Sequence, residues 1–204
     1  MRRETSLDAD YFERLYQDRP DPWDFAGSAY EAEKYARSLS ALGGERARRA
    51  LELGCSIGVF TGGLARLCDT LVATDVSATA LEAARRRCAG REAIEFRLVE
   101  GVAENFAGAF DLMVLSEVVY YWDDRDLDSA VAGIRRALAP GGRLLLVHWL
   151  GETDYPRSGD DAVTALWAGL APLMDVELTR REPKYRLDLW RRRAAPQAAA
   201  RVQN

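Results

Sequence analysis

The sequence predicts an α/β protein built on a doubly wound, mostly parallel β-sheet. Three observations carry that expectation. From about residue 45, short apolar runs alternate with stretches patterned at helical spacing, the rhythm of βαβ units. The runs are nearly continuous in apolar residues, as strands covered on both faces are. The last third changes character: "MDVELTRREPKYRLDLWRRR" holds two alternating runs joined across Glu182-Pro183, so an antiparallel hairpin is expected at one sheet edge.

Taken in order, residues 8–18 read as a short amphipathic helix, which "RPDPWDF" breaks because two prolines forbid regular helix. A second helix should begin at Ser28. There "SAYE" predicts a capping box, in which the Ser28 hydroxyl and the Glu31 carboxylate satisfy each other's backbone donors. Gly43-Gly44 should end it. Candidate strands are 49–53, 71–75, 94–99, 110–116 and 142–149. Helical patterns fall at 60–68, 77–89, 126–138 and 160–171, with "APGG" closing the third. Residues 1–193 read as one domain, with an N-terminal segment 1–44 and a core 45–193. "AAPQAAARVQN" (194–204) reads as a disordered tail.

Composition narrows the function. The chain has 204 residues and a net charge of −4, so its bulk electrostatics do not suggest a nucleic-acid or anionic-membrane partner. Three widely spaced cysteines, Cys55, Cys68 and Cys88, argue against a disulfide scaffold and fit a reducing compartment. His148 is the only histidine, so no His/Cys metal site is expected. No apolar run approaches the roughly 20 residues of a membrane span, and the N-terminus lacks a signal-like apolar region. A cytoplasmic protein acting on a small molecule is the expectation.

The informative stretch is "ALELGCSIGVFTGGLA", residues 50–65. A dinucleotide fingerprint needs Gly-x-Gly-x-x-Gly, and counting from Gly54 this chain has Ser56 and Val59 at the second and third positions. A phosphate-binding Walker loop fails as well, for want of Gly-Lys-Ser/Thr. What remains is Glu-x-Gly-x-Ser-x-Gly, residues 52–58, followed by Asp75 at the end of the next strand. A carboxylate there can accept hydrogen bonds from both hydroxyls of a ribose. Glu52 adds negative charge near the turn, which repels phosphate but suits a ligand carrying an ammonium and a sulfonium.

With "FDLMVLSEV" and "LAPGGRLLLV" following in order, the chain resembles the class I S-adenosyl-L-methionine-dependent methyltransferases. The resemblance implies a Rossmann-like, seven-stranded sheet ending in an antiparallel hairpin, and S-adenosyl-L-methionine as cofactor. It implies that Gly54, Cys55, Ser56 and Gly58 line the methionine part, that Asp75 holds the ribose and that Val76 packs on the adenine. Where that family often has Gly-Asp-Ala, this chain reads Gly101-Val102-Ala103-Glu104, so adenine recognition should fall to backbone around Ala103 or to Glu104. Ser116, leaving the fourth strand, is expected at the cofactor too.

The front of the chain, "YFERLYQDRPDPWDF…YEAEKYARSLSAL", together with "GCSIG", "SEVVYY" and "HW", resembles the nodulation protein S (NodS) family over most of residues 10–150. That implies methyl transfer to a small polar acceptor, such as the free amine of a deacetylated oligosaccharide. It also makes the aromatic segment 1–44 a candidate helical lid, with Tyr30 and Tyr35 at the cofactor and Trp23 at the acceptor. Lys34 is read either as solvent-exposed or as a partner of the cofactor carboxylate. In "SEVVYYWDD", Glu117 is the candidate proton acceptor and Tyr120 and Tyr121 a substrate-binding wall. His148 is either a second catalytic candidate or a hydrogen-bonded core histidine. An O-methyltransferase of the same fold and a non-catalytic cofactor-binding regulator remain the alternatives.

Overall fold

A computed structural model describes residues 2–194. The predicted tail therefore lies outside the described residues from 195 onward. Helix α1 (Ala9–Asp18) starts behind Asp8, whose carboxylate accepts the Tyr11 amide hydrogen. The proline-broken segment follows as turns, and α2 (Ala29–Ala41) starts behind Ser28. The Ser28 hydroxyl accepts the Glu31 amide at 3.3 Å, but the other half of the predicted capping box is not made. The Ser28 amide donates to the Asp24 carbonyl, and the Glu31 carboxylate turns to Lys34 instead.

The core follows as β1 (Ala47–Leu53), α3 (Val59–Leu64), β2 (Cys68–Asp75), α4 (Ala78–Arg87), β3 (Ile94–Leu98), β4 (Phe110–Ser116), α5 (Asp124–Ala137), β5 (Leu138–Trp149), α6 (Gly159–Leu170), β6 (Met174–Arg181) and β7 (Tyr185–Arg192). These strands form one seven-stranded sheet in the order β3-β2-β1-β4-β5-β7-β6. The first five are parallel, while β7 runs antiparallel to both β5 and β6. This is the predicted architecture, hairpin edge included.

Two elements differ from the sequence expectation. The helix predicted at 60–68 stops at Leu64 and gives way to a 3-10 turn, Ala65–Leu67. Gly62-Gly63 weakens it from within, since glycine is the poorest helix former after proline. Gly63 is also where α2 packs closely: a Cβ there would lie 2.6 Å from Leu39 Cδ1. "APGG" does not simply end a helix. Leu138 already pairs with Phe110, and the register then shifts so that Leu112 meets Arg143, which makes the segment an irregularity inside β5.

Strict alternation along β1, β4 and β5 sorts the core into two layers. Leu51, Leu53, Met113, Leu115, Leu144 and Leu146 face α5 and α6. Ala50, Leu112, Val114, Leu145 and Val147 face α3 and the arm helix α2. The strand order reverses between β1 and β4, so the carboxyl ends of β1, β2 and β4 flank the crevice where such sheets bind ligands.

Candidate active site

That crevice opens into a cavity of about 650 Å³, roofed by the N-terminal arm. Three positions of the turn after β1 sit in the left-handed region, with φ of 68° at Gly54, 51° at Ser56 and 79° at Gly58. Ser56 thus occupies a glycine-like conformation at a cost of about 1–3 kcal/mol. Two contacts hold it there. Its amide donates to Asp75 Oδ2 at 2.8 Å, and its hydroxyl accepts from Tyr16 of α1. Ser56 therefore ties the turn both to β2 and to the arm, which a glycine could not do through a side chain.

Gly54 meets the loop after β4: a Cβ there would lie 2.4 Å from Val118 Cγ1. Gly58 does not line the cavity. Its Cβ would lie 2.9 Å from Ala84 Cα, so it lets α4 pack closely, and the expectation that it contacts cofactor is corrected. Gly54-Cys55-Ser56-Ile57-Gly58 also has the spacing of a hydrolase nucleophile elbow. The Ser56 hydroxyl, however, is bonded to Tyr16, and His148 lies elsewhere, so no nucleophile–base pair forms.

Cys55, Ser56, Asp75 and Val76 line the cavity beside Gly54. The Asp75 carboxylate accepts the Ser56 amide at 2.8 Å and the Ser77 amide at 2.9 Å. Burial pushes its pKa up to about 6, against the pull of those amides. Glu52 is buried on the same wall, and burial pushes its pKa up to about 8. Its Oε2 is buried without a protein hydrogen bond, although the Thr61 hydroxyl on α3 stands near enough to the carboxyl to offset part of the burial effect.

Beyond β3 the expectation is corrected. The 3-10 turn Val102–Phe106 brings Gly101, Val102 and Asn105 to the cavity, whereas Ala103 and Glu104 are exposed and lie off it. Val102 and Asn105 are three apart and share one face of a 3-10 turn, which the expectation drawn from the family motif did not anticipate. Asn105 is fixed by Thr74 Oγ1 and donates to the Val102 carbonyl at 3.1 Å.

At the other end, Ser116, Glu117, Tyr120 and Tyr121 reach the cavity, joined by Trp23, Tyr30 and Tyr35 from the arm. Glu117 is left-handed at φ 58° and its carboxylate is held by three donors. Lys34 Nζ lies 2.6 Å from Oε1, while the Tyr120 hydroxyl and the Trp149 amide each donate to Oε2 at 2.8 Å. Lys34 is only 2% exposed, which corrects the solvent-exposed reading, and its Nζ also lies 2.8 Å from Glu31 Oε2. Burial alone would lower its pKa, but the Glu117 and Glu31 carboxylates outweigh that and leave it raised. Nothing in the residue spacing shows this cluster, because its members are brought together only by the arm closing over β4.

His148 is fully buried and does not line the cavity, so the geometry gives it no contact with a reacting group. It shares the α5/α6 face of β5, edge-on to Tyr120 with ring centroids 5.6 Å apart, and the start of α6 covers it. Burial lowers its pKa to about 4, and neither ring nitrogen has a protein partner. It is thus a neutral core histidine, without the hydrogen bond expected of one.

The sequence profile of Nodulation protein S (NodS) matches residues 8–152. The chain belongs to the nodulation protein S family. A curated Nodulation protein S from Rhizobium tropici is 35% identical over 127 residues, covering 61% of this chain and 53% of the relative. The chain spans 53%, 61% and 59% of the length of three curated Nodulation protein S relatives. The crystal structure of the N-methyltransferase NodS from Bradyrhizobium japonicum WM9, in complex with S-adenosyl-L-homocysteine, shares the fold. Its TM-score is 0.78 at 22% identity, covering 91% of this chain and 99% of that one. A Pseudomonas syringae structure is 34% identical, with a TM-score of 0.70 over 81% of this chain and 100% of that one.

In this NodS-family chain the cavity is strongly acidic. Asp8, Glu31, Asp75, Glu100, Glu117 and Asp126 line it beside the largely protonated Glu52, and Lys34 is the only basic residue among the lining residues. That lysine is already flanked by two carboxylates. An electron-poor, cationic ligand is stabilised in such a field and an anionic one is repelled. Among the described residues no helix is long and apolar enough to cross a membrane.

Proposed function

We propose that this NodS-family protein transfers a methyl group from S-adenosyl-L-methionine to the free amine of a small polar acceptor, an amino sugar or deacetylated oligosaccharide. The acid excess of the cavity carries the reading, since the cofactor is cationic and a neutral amine acceptor becomes cationic as it takes the methyl. The cofactor fits the residues present. The unpartnered Oε2 of Glu52 suits its ammonium, Asp75 suits the ribose hydroxyls, and Gly54 through Ser56 offer backbone at close approach. When bound, S-adenosyl-L-methionine supplies a methyl carbon activated by a positively charged sulfur.

The chain's own residues then have three tasks. The turn and Asp75 orient the donor. The arm and Tyr120, Tyr121 and Trp23 exclude water and present aromatic faces to a sugar ring. Glu117 stands at the acceptor end, where its carboxylate can accept an N–H hydrogen bond from the neutral amine and stabilise the positive charge that grows on nitrogen as it takes the methyl. With both oxygens already accepting hydrogen bonds, it is better suited to hold charge than to remove a proton. The acceptor must therefore arrive as a neutral amine.

The test is methyl transfer from labelled S-adenosyl-L-methionine to glucosamine oligomers, their N-acetylated counterparts and a set of phenols. Only free-amine sugars should react. Taking the acceptor near the α-amino reference of about 8, the rate should rise between about pH 6 and 8 as the neutral nucleophile forms. Labelled phenols without labelled amino sugars would replace this reading with an O-methyltransferase. Cofactor binding with no transfer to any probe would favour a regulator.

The arm is proposed as a lid. In the closed form the Glu13 carboxylate accepts from the Ser77 and Thr79 hydroxyls at 2.7 and 2.6 Å, and Tyr16 reaches Ser56. Both latches sit beside the proposed ribose site. Residues 8–36 should exchange amide hydrogens faster without S-adenosyl-L-homocysteine than with it, while β1, β4 and β5 change little. Equal protection in both states would make the arm static packing.

A further inference from the structure

We infer that Lys34 is a positioning residue for the acceptor: reaching from the arm, it fixes the Glu117 carboxylate in one orientation, so that turnover requires the arm to be seated. The inference rests on the methyltransferase reading and adds to it a residue that acts without touching the acceptor.

Four observations carry it. Lys34 is 2% exposed on α2, in a chain whose only other lysine is Lys184. Its Nζ bridges two carboxylates from different parts of the fold, Glu31 one turn earlier on the same helix and Glu117 in the loop after β4. The ammonium also lies 5.6 Å from the centroid of the Tyr30 ring and 5.9 Å from that of Tyr35, so aromatic faces close the remaining sides. Finally, Lys34 is the partner of Glu117 Oε1, whereas Oε2 has two others from the core, Tyr120 and Trp149. Removing Lys34 leaves the carboxylate tethered at one oxygen and free to turn about it.

Stability alone is a weak reason for such an arrangement. A buried ion pair often contributes little or nothing compared with apolar side chains of similar size, because desolvation offsets the attraction. What the arrangement does supply is a link. The arm cannot leave without unpairing Glu117, and Glu117 cannot take its cavity orientation without the arm. In the bonded form the cluster of Glu31, Lys34 and Glu117 keeps one net negative charge facing an amine acceptor.

The test separates positioning from charge balance. Lys34→Met leaves two carboxylates buried side by side and should destabilise the fold. The double variant Glu31→Gln/Lys34→Met restores the cluster's net charge to that of the natural protein while still lacking the link. Relative to Lys34→Met its melting temperature should recover, and its affinity for S-adenosyl-L-homocysteine should match that of the natural protein. Its kcat for glucosamine oligomers should fall at least about tenfold, with a smaller change in the acceptor KM. Recovery of kcat along with stability would overturn the inference.

Amide exchange of residues 117–122 in the S-adenosyl-L-homocysteine complex gives a second readout that needs no acceptor. Faster exchange confined to these residues in the double variant supports the link, and unchanged exchange overturns it. If the natural protein methylates none of the probes, the functional reading fails and this second readout alone decides the role of Lys34.

Discussion

Asp75→Ala should bind S-adenosyl-L-homocysteine roughly 1.5–3 kcal/mol more weakly than the natural protein, about 10- to 150-fold, the range for hydrogen bonds to a charged group. The proposed ligand bonds run from ribose hydroxyls to a carboxylate that is 6% exposed, so solvent does little to replace them. A second effect adds to the first. The carboxylate also accepts the amides of Ser56 and Ser77, and its loss leaves two buried donors without acceptors. Ser56 then keeps its left-handed backbone with only the Tyr16 contact to hold it, so the turn that would meet the methionine part loosens as well. Calorimetry and thermal melts separate the two effects. A lowered melting temperature with unchanged affinity would show that Asp75 serves the turn and not the ribose.

The same residues show what was legible in the chain. The sheet was readable because its central strands β4 and β5 are buried on both faces over most of their length and carry near-continuous apolar runs, and the hairpin because Glu182-Pro183 divides two alternating segments. The placement of Gly54 and Asp75 on the cavity was readable because it is local: a left-handed turn favours glycine, and a strand end facing the crevice is a fixed place in this topology.

Lys34 and Glu31 were not readable in the same way. Their spacing predicts a surface helix, and Glu31 even completes a capping-box pattern. The second partner of Lys34, Glu117, is 83 residues away in the chain and meets it only once α2 covers β4. His148 failed for a related reason. Being near the end of a strand placed it close to the site, but alternation put Trp149 toward the cavity and His148 toward α6. Ala103 and Glu104 were misplaced because a 3-10 turn, not a strand end, chooses which side chains face inward there.

Glu52 should make cofactor binding release protons. Burial raises its pKa to about 8, so near pH 7 the free protein holds this carboxyl largely protonated, with an unpartnered oxygen at the cavity wall. Pairing with the ammonium of S-adenosyl-L-homocysteine favours the ionised form and drives the proton off. Affinity should then rise with pH between about 6 and 7.5, by up to tenfold per unit while the free carboxyl stays protonated and the bound one ionised.

Asp75, with its pKa near 6, adds to this only at the acid end, so measurements at pH 7 to 7.5 isolate Glu52. The stability of the free protein should move the opposite way. The folded pKa lies above the ordinary 4.5, so the contribution of this group is complete below that value and is lost as pH rises through about 8. The loss is on the order of a few kcal/mol. Glu52→Gln should therefore melt higher than the natural protein at pH 8 in the absence of ligand, yet bind S-adenosyl-L-homocysteine more weakly and without releasing a proton. Binding enthalpies in buffers of different ionisation heat read the proton directly. Enthalpies that do not vary with the buffer would mean that Glu52 does not change protonation state on binding, and the proposed proton release would be wrong.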